Sequence, residues 1–118
     1  ESIEPYFMAR IVDVKEFLLA YPYESTAKPF HFIVSDPVAE WNNNIFSLIW
    51  DEEDQVSISH EPLGNPVIID IQTLTCLMMN YRRPSYLNRI ERLKTDKETL
   101  NSLERILPDQ EAYFSDYF

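Results

Sequence analysis

The stretch Pro66 to Pro84, PVIIDIQTLTCLMMNYRRP, decides how the chain folds. Val67, Ile68 and Ile69 are a short β-branched run behind a proline, which reads as a fully buried strand. Asp70 breaks the run, and the hydrophobic period changes from 2 to 3.6. Leu74, Leu77, Met78 and Tyr81 fall at i, i+3, i+4 and i+7, one face of a helix. Asp70 or Thr73 can cap its N-terminus with a side-chain oxygen. Arg82 and Arg83 suit the negative end of the helix dipole, and Pro84 stops the helix. A buried strand running directly into a mostly buried helix is therefore the expected centre of the fold.

On the N-terminal side, Glu1 to Pro5 reads as linker and residues 6–118 as one domain. Tyr6 to Val12 reads as an edge strand. Asp13 and Glu16 form a capping-box pattern ahead of Val14, Phe17, Leu18 and Tyr21, one face of a short helix ended by Pro22. Three strands with the period of 2 follow: Phe30 to Ser35, Ile45 to Trp50, and Val56 to His60. Asp51 to Asp54 reads as a solvated hairpin tip, because an EF-hand's ligand spacing is absent. The turn from Pro62 to Pro66 holds the chain's single glycine, Gly64.

On the C-terminal side, Ser85 is expected to cap a helix with Leu87, Ile90 and Leu93 inward. Thr95 and Glu98 read as a capping box for another, with Leu100, Leu103, Ile106 and Leu107 inward and Pro108 as its stop. About five strands, mainly antiparallel, and four helices give an α+β domain.

A chain of 118 residues has room for one core, and 45% apolar residues suffice to fill it. The lone Cys76, on the apolar helix, reads as a small buried hydrophobe, and a reducing, cytoplasmic setting fits it. No apolar run approaches the ~18 residues that span a bilayer, and no signal peptide pattern is present. A net charge of −10 argues against nucleic acid and anionic membranes. It suits cationic substrates or partners. One glycine leaves no phosphate-cradling loop, so no nucleotide or coenzyme A cofactor is expected in this fragment. No HExxH and no paired-cysteine zinc pattern occurs. His31 and His60, on separate strands, read as structural rather than acid–base groups. Ser57 and Ser59 lack a nucleophile elbow, and Arg82-Arg83 reads as a helix end rather than a phosphate site. The tail is unusual: Tyr113, Phe114, Tyr117 and Phe118 are four aromatics among the last six residues. Burying an aromatic ring contributes roughly 2–3 kcal/mol, so such a tail prefers to dock.

Several stretches together resemble one family. They are Met8-Ala9-Arg10-Ile11-Val12-Asp13-Val14 with Phe17-Leu18; Asp36-Pro37 through Trp41-Asn42; Asp70-Ile71-Gln72-Thr73-Leu74-Thr75; Tyr81-Arg82; and Asp116-Tyr117-Phe118. Their order resembles the C-terminal domain of Eis-type (enhanced intracellular survival) GNAT acetyltransferases, a sterol-carrier-protein-like α+β fold. One departure is Asn43-Asn44, where the family's turn has a glycine. The resemblance implies upstream GNAT domains in the parent chain, acetyl-CoA as its co-substrate, a cationic amine (aminoglycoside, polyamine or lysine) as acceptor, and a homo-oligomer. It assigns the general-base role to the carboxylate of the last residue, by position Phe118. Asp116 and Tyr117 are the neighbouring substrate-binding candidates, and Asp116 is the alternative source of the carboxylate. The fragment alone is expected to be catalytically silent. Two other readings remain: a lipid- or acyl-chain-binding module with its cavity against Leu74–Tyr81, and a purely structural oligomerisation domain.

Overall fold

The computed structural model describes residues 10–109. The linker at Glu1–Pro5, most of the expected edge strand, and Asp116, Tyr117 and Phe118 lie outside them. Helix α1 (Val14–Ala20) is capped by Asp13, whose Oδ1 accepts the Glu16 N–H at 3.1 Å. Strands β1 (Phe30–Ser35), β2 (Ile45–Trp50) and β3 (Val56–Ser59) follow, with a 3-10 turn at Glu40–Asn42 between the first two. Strand β4 (Asn65–Asp70) runs straight into α2 (Ile71–Met78), then come α3 (Pro84–Arg89), β5 (Leu93–Lys94) and α4 (Lys97–Ile106).

The strands form one sheet in the order β3-β2-β1-β4-β5. The β1–β4 pair is parallel and the other pairs are antiparallel. Register follows from burial. Phe46, Phe32 and Val67 stand in one row across β2, β1 and β4, and Val34, Ile69 and Leu93 in another across β1, β4 and β5. All six are buried, and they share one core with Val14 and Leu18 of α1, Leu74, Leu77 and Met78 of α2, Leu87 of α3, and Leu103 and Ile106 of α4. A slip of one residue would turn these rows to the opposite face.

Local chemistry explains where the elements differ from expectation. Ile68 is 50% exposed, so the Val67–Ile69 run is a strand with one covered face rather than a fully buried one. The helix after it ends at Met78, because Asn80 adopts a left-handed φ of 60°. Tyr81, Arg82 and Arg83 therefore lie beyond it, and Pro84 begins α3 instead of stopping α2. Arg83, not Ser85, occupies the N-cap of α3, and Ile90 is largely exposed rather than inward. Asp96, not Thr95, caps α4, its carboxylate accepting the Thr99 N–H and Oγ1–H. Arg10 to Val12 is not strand, and the fifth strand is the two-residue β5. His60 lies just past β3, and Cys76 is half-buried.

Arg83 ties the C-terminal end of α4 to this frame. Its Nη1 donates to Asn80 Oδ1 and to the Pro108 carbonyl, both at 2.9 Å. Its Nη2 donates to the Glu104 backbone and carboxylate oxygens, each at 3.0 Å. Hydrogen bonds involving charged groups contribute about 1.5–3 kcal/mol. Arg83→Ala is thus expected to lower stability by about 2 kcal/mol in urea titration. Arg83→Lys should restore less than half, since an ammonium lacks the planar fork.

Candidate functional site: the junction of the leading segment and its groove

Three of the stretches that carry the resemblance, in the parts around Arg10–Val14, Asp36–Asn42 and Thr75, are distant in sequence and meet in space. Asp36, at the end of β1, has a buried carboxylate. Its Oδ1 accepts the Val38 and Ala39 N–H groups at 3.0 and 3.1 Å, and its Oδ2 accepts the Asn42 amide at 3.0 Å and the Arg10 guanidinium. Burial alone would push this carboxyl up. The hydrogen bonds from Ala39, Asn42, Val38 and Arg10 outweigh it and hold the pKa at about 2.

Asn42 then reaches back to the leading segment. Its Nδ2 donates to the Val12 carbonyl at 2.8 Å, and its Oδ1 accepts the Val14 N–H at 2.9 Å. Trp41 Nε1 donates to the same Val12 carbonyl at 2.9 Å. From the other side, Thr75 Oγ1 of α2 accepts the Ile11 N–H at 3.0 Å. The segment ahead of α1 is thereby pinned to both the sheet and α2. Asn43 has φ −84°, and Asn44 is not among the left-handed residues, so this turn has no need of glycine.

Beside this junction is a groove of about 420 Å³ lined by Ile11, Phe17, Ala20, Tyr21 and Met79, with Asp13 and Glu16 as its acidic members. It lies against α1. From the Leu74–Tyr81 segment, expected in the lipid-binding reading to line an acyl-chain cavity, Met79 borders this groove, while Leu74, Leu77 and Met78 pack into the core at 0%, 1% and 0% exposure.

The remaining candidates have structural partners. His31 is buried with Nδ1 2.8 Å from the Leu63 carbonyl, and His60 has Nδ1 2.8 Å from the Ile45 carbonyl. A carbonyl can only accept, so each Nδ1 carries a proton. Burial pushes the Cys76 thiol up against the opposing pull of Arg82 and Arg92, which leaves it protonated and a poor nucleophile. Asp51 to Asp54 is an exposed hairpin tip, as expected. Among the described residues no His, Cys, Asp and Glu cluster is placed to hold a metal ion, and no helix is long and apolar enough to cross a membrane. The Asp36–Asn42–Arg10 network was not legible as a cluster. Its signal was the recurrence of these residues in the quoted motifs.

A mixed five-stranded sheet with helices packed on its apolar face defines an α+β domain of the sterol-carrier kind. The chain belongs to the sterol carrier protein domain family, which matches residues 14–115. Solved structures share the fold. One is a protein from Enterococcus faecalis described as a probable N-acyltransferase, with 29% identity and TM-score 0.76 over 84% of this chain and 26% of that one. A GCN5-related N-acetyltransferase from Anabaena variabilis has 22% identity and TM-score 0.75 over 86% of this chain and 26% of that one. Eis1 from Mycobacterium abscessus has 22% identity and TM-score 0.66 over 82% of this chain and 24% of that one. The chain thus spans about a quarter of the length of these proteins. No curated protein matches it.

Proposed function

We propose that this chain is the C-terminal domain of an acetyl-CoA-dependent N-acetyltransferase that acts on cationic amines. The observation that carries the reading is the likeness to the Enterococcus faecalis protein, which covers most of this chain and a quarter of that one. In this reading, GNAT domains upstream in the same chain bind acetyl-CoA, and the present domain shapes the amine site. The junction around Arg10 is where upstream sequence meets the sheet, so its rigidity would set the orientation of the two parts. The net charge of −10 favours polyamine, aminoglycoside or lysine-type acceptors by raising the local cation concentration.

The acceptor-side role falls on the carboxylate of Phe118, with Asp116 and Tyr117 beside it. An α-carboxyl has a pKa of roughly 3.3–3.7 and a lysine-like ammonium one near 10.4, so direct deprotonation is a poor use of it. Orienting a water and the amine, and stabilising the cation that forms on attack, depends on placement more than basicity. The test is acetyl transfer by the whole protein from acetyl-CoA to a polyamine, followed as thiol release at several salt concentrations. Expected is turnover whose KM rises with ionic strength. Absence of transfer to any of the three amine classes would refute the reading.

A further inference from the structure

Among the described residues, the three most exposed large apolar side chains are Val38, Val12 and Trp41, at 79%, 66% and 60%. All three fall on one junction, where the leading segment meets the loop after β1. Trp41 Nε1 donates to the Val12 carbonyl at 2.9 Å, and Asn42 Nδ2 donates to the same oxygen at 2.8 Å. Val38 is held through its N–H, which the buried Asp36 carboxylate accepts at 3.0 Å. The 3-10 turn at Glu40–Asn42 fixes the Trp41 backbone, with the Asn42 N–H on the Ala39 carbonyl and the Asn43 N–H on the Glu40 carbonyl. The indole is thus set from its backbone and from its ring nitrogen. Its polar atom is satisfied within the domain, so what it shows to solvent is apolar. Exposed apolar surface gathered in one place marks a contact, and a Trp ordered in advance loses little entropy when it is covered.

We infer that this patch is the contact for the nearest upstream domain of the parent chain, whose surface offers an apolar pocket to the Trp41 ring and cations around it. The inference rests on the reading of this chain as a C-terminal domain. Residues 11–14 are bonded to α2 and to Asn42, and Val12 is both part of this leading segment and part of the patch. A domain tethered to the leading segment is delivered beside the patch at an effective concentration on the order of millimolar for a short linker. The Enterococcus faecalis protein has length for such a domain, since this chain spans 26% of it. Charge decides against a second copy as the occupant. Exposed Asp13 and Glu40 flank Val12 and Trp41 in sequence, on a chain of net charge −10. Two copies laid patch to patch would bring these like charges together, which opposes the contact.

The test is hydroxyl-radical labelling of Trp41, read by mass spectrometry in the 118-residue chain and in the whole parent protein. Expected is ready labelling in the 118-residue chain at all concentrations, and a rate about fivefold lower or less in the whole protein, because a ring that anchors a contact is desolvated. Val38→Asp in the whole protein places an unpaired carboxylate in the contact and should restore about half or more of the lost labelling. Val12→Asp should do the same. Both side chains are surface groups, and unchanged melting of the 118-residue chain would show each variant folded. Equal labelling of Trp41 in the two proteins would overturn the inference, as would a Trp41 already protected in the dilute 118-residue chain. Protection that appears in that chain only as its concentration rises, or that the whole protein loses on dilution to monomer, would put a second copy on the patch and overturn it too. So would protection that neither variant relieves. Acetyl transfer with an unprotected Trp41 would refute this contact alone, and protection without transfer would refute the enzymatic reading alone.

Discussion

Gly64→Ala is expected to destabilise the chain by about 3 kcal/mol or more, or to prevent folding at 37 °C. Gly64 has φ +69°, a left-handed conformation that costs an L-residue roughly 1–2 kcal/mol. The larger cost is steric. A Cβ there would lie 1.9 Å from the Pro29 carbonyl oxygen and 2.7 Å from its carbon, both backbone atoms. Pro29 precedes β1 and Gly64 precedes β4, and Phe30 pairs with Asn65 at the start of the parallel ladder. Relief would have to come from separating the two central strands, whose side chains fill the core. Overpacking of this kind costs typically 1–3 kcal/mol beyond the conformational term. Urea unfolding of the chain measures the loss. A change under 1 kcal/mol would mean that the strands part easily there and the close approach is not structural.

Asp36→Ala is expected to cost about 3 kcal/mol. It removes the acceptor from two backbone N–H groups and the Asn42 amide, and leaves the three-quarters-buried Arg10 without its counter-charge. Breaking a buried pair from one side costs ~3–5 kcal/mol, and the partial exposure of Arg10 sets the lower end. Asp36→Asn should cost less, since an amide oxygen still accepts from Val38 and Ala39. The pH dependence has a definite sign. The folded pKa of about 2 lies below the ordinary 3.8, so the unfolded chain binds the proton more readily. The stabilisation is present above about pH 4 and is lost as pH falls toward 2. Thermal melts should show this acid step in the unaltered chain and a smaller one in Asp36→Asn. Equal steps in both would assign the acid sensitivity to other carboxylates.

The two largest effects differ in how far the sequence announces them. A lone glycine before a β-branched run marks a turn, and the structure adds the reason, a backbone approach with no room for a side chain. Strands β1 and β2 match their expected limits because Phe30, Phe32, Val34 and Phe46, Leu48, Trp50 recur with a period of 2, although His31 and Ser47 between them are buried as well. Strand β5 is two residues long and has no period to read. The C-terminus of α2 was misplaced because Tyr81 keeps the helical spacing while Asn80 leaves the helix by a backbone angle. Arg83 shows the same limit, since a residue that looks like a helix end is a hub for partners up to 25 positions away. Periodicity reports which face an element covers, and long-range polar networks such as Asp36–Asn42–Arg10 leave no periodic trace. The tail candidates Asp116, Tyr117 and Phe118 rest on the resemblance and on composition, because they lie outside the described residues.

The central claim is most directly tested by adding one glycine after Phe118 in the whole parent protein and measuring kcat for amine acetylation. The extension keeps the Phe118 ring and moves the terminal carboxylate by one residue. Asp116→Asn, made in parallel, tests the competing carboxylate. The account predicts that the extended enzyme folds, binds acetyl-CoA as before and loses kcat by on the order of 10²-fold, the cost of misplacing an orienting group. An extended enzyme that folds and retains full kcat would contradict it.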